Sequence, residues 1–212
     1  MLVHRKKQLY HQISFLILNF LAHLYLSGHQ EDLLVGNFLA DYLKNKDVLR
    51  LPRPVQEGIR LHRKIDSFTD QHPAVLDSVR RMRPVHGKFA PVVLDICLDY
   101  ILANNWDTYA DESLVDFTQG VYKVLAANIA LMPDFLQERL PLMIADDWLV
   151  KYGTENGLRF TFERMKYRTS YPEYFNGAVD NFLRDYELYE REFNIFFPDI
   201  IEELKSWDEH TE

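Results

Sequence analysis

Apolar residues recur every three or four positions along most of the chain, a spacing that predicts α-helices. Sustained alternation of apolar and polar residues, which is typical of half-buried strands, is absent from the sequence. We place helices near 13–27, 31–46, 54–71, 74–83, 88–105, 111–130, 134–151, 154–168, 171–194 and 198–208. This pattern predicts an all-α fold, a single-domain bundle of about eight to ten helices.

Local signals divide the pattern into elements. Ser170 followed by Glu173 forms a capping-box pattern and predicts a helix start, whereas Gly153 followed by Thr154 predicts a helix end beside a helix start. The helix after Ser170 carries a continuous apolar stripe, which we interpret as core: Phe175, Val179, Phe182, Tyr186, Tyr189 and Phe193.

The N-terminal region has the outline of a signal peptide or anchor, because basic residues precede an apolar stretch over 13–26. Asn19 and His23 interrupt that stretch, it is short for a membrane span, and no small-residue cleavage site follows it. We therefore expect a cytoplasmic protein without a membrane anchor. Residues 1–18 are interpreted as an N-terminal extension and residues 19–212 as the helical domain.

Composition and charge narrow the range of possible functions. The chain has 212 residues, of which 47% are apolar, so it can bury a core. A net charge of −8 argues against broad affinity for nucleic acid or anionic membranes. The segment 60–88 departs from this balance, with seven basic and three acidic residues. Such a segment could hold a phosphate or an acidic partner, or it could be an ordinary solvated face. Cys97 is the sole cysteine, lies among apolar residues and is predicted to be buried.

Polar pairs spaced four residues apart occur inside otherwise apolar helical segments of the first half. Residues at i and i+4 share one face of a helix, so each pair presents two ligand or hydrogen-bonding groups in one direction. The pairs are Asn19/His23, Asn37/Asp41, His62/Asp66 and Asp95/Asp99, with Asp70 one turn beyond Asp66.

Asp95 and Asp99 lie on a segment that is apolar nearly all the way round, which predicts that they are buried. A buried carboxylate must protonate, pair with a base or bind a cation. The alternatives are therefore a salt bridge to Arg60 or Arg63, a set of helix-capping bonds, or a metal ion. Two carboxylates on one face favour the metal.

His62 and Asp66 offer an imidazole nitrogen and a carboxylate oxygen to one ion, although such a pair is often only a surface hydrogen bond. His23 alone would be interpreted as a core histidine. Together the four helices supply mixed nitrogen and oxygen ligands, which suit Mn²⁺, Fe²⁺, Mg²⁺ or Zn²⁺. The sequence contains no Walker loop, dinucleotide-binding glycine motif, G-x-S-x-G or HExxH motif.

Several of these segments resemble the acyl carrier protein phosphodiesterase family, in that family's order and spacing. They are 19–27 (NFLAHLYLS), 36–43 (GNFLADYL), 58–73 (GIRLHRKIDSFTDQHP) and 94–106 (LDICLDYILANNW), and a looser resemblance continues through 147–152 to about residue 168. The resemblance implies a helical fold related to HD-type phosphohydrolases. It also implies hydrolysis that depends on a divalent metal, preferably Mn²⁺, and removes 4′-phosphopantetheine from holo-acyl carrier protein to give the apo form.

The residues of this chain that occupy the positions of the family's polar motifs are His23, Asp41, His62, Asp66, Asp95 and Asp99. Two departures stand out. The family often has a histidine where this chain has Tyr100, and the adjacent His-Asp pair of the HD signature is absent because Arg63 follows His62. A missing ligand or proton donor at Tyr100 would alter the metal preference or reduce activity.

We therefore assign His23, His62, Asp66 and Asp95 as metal ligands. Asp99 or Asp41 is expected to orient the attacking water, Arg63 or Lys64 to hold the phosphate, and the 80–88 region to dock the acidic carrier protein. Two alternatives remain open at this point. One is a nucleotide or oligonucleotide phosphohydrolase with the same site, and the other is a metal-free helical module that binds a carrier protein without catalysis.

Overall fold

The computed structural model describes residues 20–208, and every regular element in that range is helical. The α-helices are α1 Phe20–Tyr25, α2 Glu31–Leu39, α3 Asn45–Val48, α4 Arg53–Gln71, α5 Pro73–His86, α6 Ala90–Asn104, α7 Trp106–Tyr109, α8 Leu114–Ala127, α9 Asp134–Ala145, α10 Trp148–Lys151, α11 Glu155–Lys166, α12 Ala178–Arg184 and α13 Tyr186–Asp208. Short 3-10 helices lie at Ala40–Tyr42, Gly87–Phe89, Ile129–Leu131 and Pro172–Phe175. The all-α, single-domain prediction is confirmed. The predicted extension over 1–18, Asn19 and the start of the first predicted helix lie outside the described residues.

Helix α6 forms the centre of the core. Val93, Leu94, Cys97 and Ile101 are inaccessible to solvent, as expected for a helix that is apolar nearly all the way round. Cys97 is a free, buried thiol whose pKa is raised well above its usual value, first by burial and then by the Asp95 charge. The prediction that it is a buried apolar residue is confirmed.

Helices α2 and α4 touch backbone to backbone. A Cβ atom added to Gly58 would lie 2.3 Å from the carbonyl oxygen of Leu33, and one added to Gly36 would lie 2.0 Å from the carbonyl oxygen of Val55. Because only glycine permits this approach, the two helices can place side chains that follow these glycines within hydrogen-bonding distance of each other. This contact builds the site described below.

Several predicted helix boundaries are wrong. The predicted helix 134–151 is broken at Asp147, whose φ of 47° is left-handed and separates α9 from α10. Ser170 makes no capping bond within the described residues; a 3-10 helix and the left-handed Gly177 intervene before α12 begins. The predicted break before Pro198 is absent, because complete burial of Phe197 and Ile200 outweighs the hydrogen bond that proline cannot donate.

Other local predictions are confirmed. The Thr154 side chain caps α11 by accepting a hydrogen bond from the backbone N–H of Gly157 at 3.0 Å. The aromatic stripe is core: Phe175, Val179, Phe182, Tyr189 and Phe193 are buried, and Tyr186 is half-buried. Within residues 20–208, no helix is both long enough and apolar enough to cross a membrane.

Candidate metal centre

Two buried histidines from different helices share one amide oxygen. His23 of α1 is 2% exposed and His62 of α4 is 6% exposed. The Oδ1 atom of Asn37, on α2, lies 2.9 Å from His23 Nδ1 and 2.8 Å from His62 Nδ1. The two imidazole rings are therefore held close together, with centroids 4.2 Å apart and planes inclined by 32°.

The hydrogen bonds of Asn37 determine which nitrogen of each imidazole carries the proton. Asn37 Nδ2 donates to the backbone carbonyl of His23 at 2.8 Å and to Ser27 Oγ at 2.9 Å. Since a carbonyl oxygen can only accept, the amide nitrogen must face it, and Oδ1 must face the histidines. Each neutral imidazole then carries its proton on Nδ1 and presents an Nε2 lone pair.

Both Nε2 atoms face carboxylates. His23 Nε2 lies 3.3 Å from Asp66 Oδ1, and His62 Nε2 lies 3.4 Å from Asp66 Oδ2 and 3.3 Å from Asp41 Oδ1. His23 Nε2 is buried and makes no hydrogen bond within the described residues. A lone pair that faces a carboxylate oxygen repels it unless a proton or cation lies between them. Ligand atoms of His23, His62 and Asp66 all lie within 4.8 Å of one another.

The electrostatic field of this site favours positive charge. Burial lowers the pKa of His62, but contact with the Asp41 carboxylate and the charges of Asp41 and Asp66 raise it by more, so the net shift is upward. Asp70, one turn beyond Asp66, also has a raised pKa, first through burial and then through the Asp66 charge. These shifts are those expected where carboxylates outnumber nearby bases.

Asp95 of α6, which the sequence predicted to be buried, is half-buried and lies in the electrostatic field of the same carboxylates. Its pKa is raised well above the usual value, first by burial and then by the charges of Asp70, Asp66, Asp99 and Asp41. The salt bridge considered from the sequence does not form within the described residues. Arg60 pairs with Glu57, and Arg63 donates to Asn45 Oδ1 at 2.8 Å. In the part of the chain that the structure describes, no arginine forms an ion pair with Asp41, Asp66 or Asp95, and carboxylates beside two imidazole lone pairs fit a divalent cation.

Asp99 occupies a different place from Asp95. It is fully buried, and its two oxygen atoms accept hydrogen bonds from the backbone N–H groups of Leu21 at 3.0 Å and Ala22 at 2.9 Å. These N–H groups belong to the first turn of α1 and have no partner within that helix. Burial raises the pKa of Asp99 to about 7, although the two backbone hydrogen bonds lower it. The helix-capping bonds considered from the sequence therefore form at Asp99, and they position α1, the helix that carries His23.

A family model described as acyl carrier protein phosphodiesterase matches residues 18–200. The chain belongs to this family. Curated relatives with that name include proteins of Photorhabdus laumondii, 27% identical over 90% of this chain and 97% of the relative, and Serratia proteamaculans, 28% identical over 89% and 98%. The Escherichia coli relative is 28% identical over 88% of this chain and 97% of its own. No solved structure matches the chain. The predicted enzyme class, a phosphoric diester hydrolase, is that of the family, while the relation to HD-type folds stays a prediction.

Two residues assigned to phosphate binding point away from the histidines. Arg63 and Lys64 follow His62 on α4 and are rotated from it by about 100° and about 200° around the helix. Lys64 forms an ion pair with Glu203 of α13. Arg63 contacts Asn45, which lies four residues beyond Asp41. Of the two, Arg63 lies beside the segment that carries Asp41 and forms no ion pair within the described residues.

Tyr100, where the family often has a histidine, packs against aromatic side chains of α12 and α13. Its ring meets Phe182 and Tyr186 edge-on, with centroids 5.7 and 6.2 Å apart. Burial is the first cause of its raised pKa, followed by the charge of Glu155. Within the described residues, no hydrogen bond or ring contact connects Tyr100 with His23 or His62.

The sequence pattern named Asn37 but assigned it no role in the site. Asn37 lies at the end of α2, whereas Asp41 lies in the 3-10 helix that follows. The two side chains contact opposite sides of the His62 ring, Asn37 at Nδ1 and Asp41 at Nε2. The signal that could have identified Asn37 is a buried amide one residue after a glycine at a helix contact.

Proposed function

We propose that this chain is a divalent-metal-dependent phosphodiesterase that hydrolyses holo-acyl carrier protein, releasing 4′-phosphopantetheine and leaving the apo form. The observation that carries the proposal is the pair of Nε2 lone pairs of His23 and His62, which face the carboxylate of Asp66, and among the described residues no arginine forms an ion pair with that carboxylate. Family membership supplies the reaction class, and the names of the relatives supply the carrier protein as substrate.

We assign the metal ligands as His23 Nε2, His62 Nε2 and the Asp66 carboxylate, with Asp95 as the fourth ligand. This set of two imidazoles and two carboxylates suits Mn²⁺, with Mg²⁺ or Fe²⁺ as alternatives. When bound, the ion would supply Lewis acidity that activates water and offsets charge on the phosphoryl oxygens.

The remaining residues of the site position the attacking water, hold the phosphate and orient the metal ligands. Asp41 is partly accessible and borders the site, so we assign it as the base that orients the attacking water and accepts its proton. The phosphorus–serine oxygen bond then breaks, and the serine oxygen of the carrier protein takes up a proton. Arg63 is proposed to hold the phosphate. Asn37 fixes the imidazole tautomers, and Asp99 positions α1.

The test follows phosphopantetheine release from purified holo-acyl carrier protein by mass spectrometry, with chelator and with added Mn²⁺. We expect release that depends on the metal and is lost in His62→Ala. The matched control is His72→Ala, because His72 also pairs with an aspartate, Asp199, but lies outside the site. Release that persists with chelator, or in His62→Ala, would contradict the proposal.

The same experiment separates the two alternatives from the sequence. A nucleotide or oligonucleotide phosphohydrolase would cleave small diesters but not the carrier protein. A metal-free binding module would bind the carrier protein, cleave neither substrate, and bind equally well after His62→Ala.

A further inference from the structure

The basic segment 60–88 has little uncompensated charge in the folded protein. Lys64 pairs with Glu203, and Arg80 pairs with Asp77. Arg81 makes two hydrogen bonds of 2.6 Å to the Glu192 carboxylate. Glu57, Glu192 and Glu203, which lie outside the segment, therefore offset three of its four excess positive charges. The segment thus offers an acidic partner little unpaired charge, and other parts of the described surface become candidates for docking.

Three arginines on α9, α11 and the turn after α11 stand close together. The pKa of Arg164 is lowered, first by burial and then by the charge of Arg139. Burial, Arg164 and Arg139 lower the pKa of Arg168 to about 10. Guanidinium groups that repel each other in a half-buried setting are typical of a site for an anion. Within the described residues, neither Arg139 nor Arg164 forms an ion pair.

Arg164 borders a cavity of about 330 Å³ that is also lined by Trp148, Lys151 and Phe160. Its guanidinium carbon lies 4.6 Å from the centroid of the Trp148 ring and 5.5 Å from that of Phe160. The aromatic faces hold the guanidinium without neutralising it, so its charge remains available. The acidic residue in this cavity, Asp146, pairs with Lys151.

The surroundings of this cavity are those of a protein-binding surface. Phe160 is 55% exposed and Tyr167, just beyond α11, is 79% exposed. Aromatic residues and arginines are enriched in protein interfaces relative to the rest of a protein surface.

Tyr42 connects this surface with the candidate metal centre. It follows Asp41 directly, and the centroid of its ring lies 6.0 Å from that of Phe135 on α9, with the two planes inclined by 59°. Burial and the Asp41 charge raise the pKa of the Tyr42 hydroxyl, while the charges of Arg168 and Arg139 lower it. The buried hydroxyl has no hydrogen-bond partner among the described residues. The arginines therefore flank the Asp41 side of the metal centre.

We infer that Arg139 and Arg164, together with the exposed Phe160, form the docking site for carboxylates on the surface of the acidic carrier protein. This inference rests on the proposed function, because it assigns the protein-binding part of the same reaction. The site would hold the partner so that its prosthetic-group diester reaches the metal centre along the Asp41 side.

The test is the double variant Arg139→Gln/Arg164→Gln, assayed with Mn²⁺ on holo-acyl carrier protein and on bis(p-nitrophenyl) phosphate. We expect KM for the carrier protein to rise about 10-fold or more, with a weaker salt dependence, and kcat/KM for the small diester to stay within about twofold. Lys123→Gln, which removes an exposed charge from α8, is the matched control and should behave as wild type.

Binding of labelled apo-acyl carrier protein, which contains no diester, measures docking separately from catalysis. If the wild-type protein binds apo-carrier protein but cleaves nothing, the proposed function fails while docking can still be compared between variants. An unchanged dissociation constant in the double variant would overturn the inference. A loss of binding in Arg83→Gln instead would also overturn it, because it would place docking on the 80–88 region.

Discussion

Replacing Asn37 with leucine tests how the site is built, because leucine keeps the volume and removes every hydrogen bond of the amide. Two buried Nδ1–H donors, those of His23 and His62, would lose their acceptor. Each such donor costs about 1–3 kcal/mol, so we expect the free energy of unfolding to fall by about 4 kcal/mol. The backbone carbonyl of His23 keeps its bond from Ser27 Oγ and adds no further cost.

Metal affinity should fall as well, since the imidazoles would no longer be held with Nε2 toward Asp66. Loss of a residue that orients metal ligands weakens affinity by about 10–100-fold. Calorimetric titration of Mn²⁺ and urea unfolding in chelator measure the two effects separately. Asn37→Asp can still accept from both Nδ1–H groups but cannot donate to His23, so it should lose stability yet bind Mn²⁺ more tightly than Asn37→Leu.

Ser27→Ala is the matched control for Asn37→Leu. It removes one partner of the amide nitrogen and leaves the bonds to both histidines, so we expect a loss of only about 1 kcal/mol and Mn²⁺ affinity within about threefold of wild type. If Asn37→Leu bound Mn²⁺ as tightly as Ser27→Ala, the shared amide oxygen would not control the site.

Three further predictions concern packing and charge. Gly58→Ala would bring a methyl group against the Leu33 carbonyl and should lower the free energy of unfolding in urea by about 3 kcal/mol. Gly120→Ala in α8, where nothing lies within 4 Å of the added methyl group, should be neutral or stabilising. Equal effects of the two substitutions would contradict the backbone contact of α2 with α4. Asp99→Ala should cost about 2 kcal/mol by leaving two helix N–H groups unpaired. The pKa of Asp99 in the folded state is raised to about 7, so between about pH 4 and pH 7 the folded state binds more protons than the unfolded state. The wild-type protein should therefore lose stability relative to Asp99→Ala as the pH rises through that range. Parallel pH profiles of the two proteins in chelator would refute this. Asp95→Asn should raise the melting temperature in chelator, because it removes a carboxylate that no cation neutralises. It should also abolish the increase in melting temperature that Mn²⁺ gives the wild-type protein. A lower melting temperature of the variant in chelator would show that Asp95 is already neutralised.

The sequence was sufficient to predict the helical fold and the region of the site. Polar residues inside apolar helical segments pointed to His23, His62, Asp66 and Asp95, because burial of such groups demands a reason. The two histidines are buried as that reasoning requires, whereas Asp66 is exposed and Asp95 is half-buried. The structure brings the first three within ligand distance of each other and places Asp95 among the same carboxylates.

Atom-level roles could not be predicted, because a shared helix face does not specify what lies opposite. Asp95 and Asp99 are one turn apart on α6, yet Asp95 faces other carboxylates and Asp99 faces the first turn of α1. The i,i+4 rule also assumes a continuous helix, whereas α2 ends at Leu39, before Asp41. Likewise, counting basic residues along the sequence could not show that Glu192 and Glu203, more than a hundred residues later, offset them.

The capping of α1 by Asp99 has a consequence for the order in which the protein is made. A nascent chain that stops short of Asp99 already contains His23, Asn37 and His62, but the six-residue helix that carries His23 lacks the carboxylate that accepts from the N–H groups of Leu21 and Ala22. Helices this short do not persist in water by themselves. We therefore expect α1 to take its final position, with His23 beside His62, only after the ribosome has delivered α6.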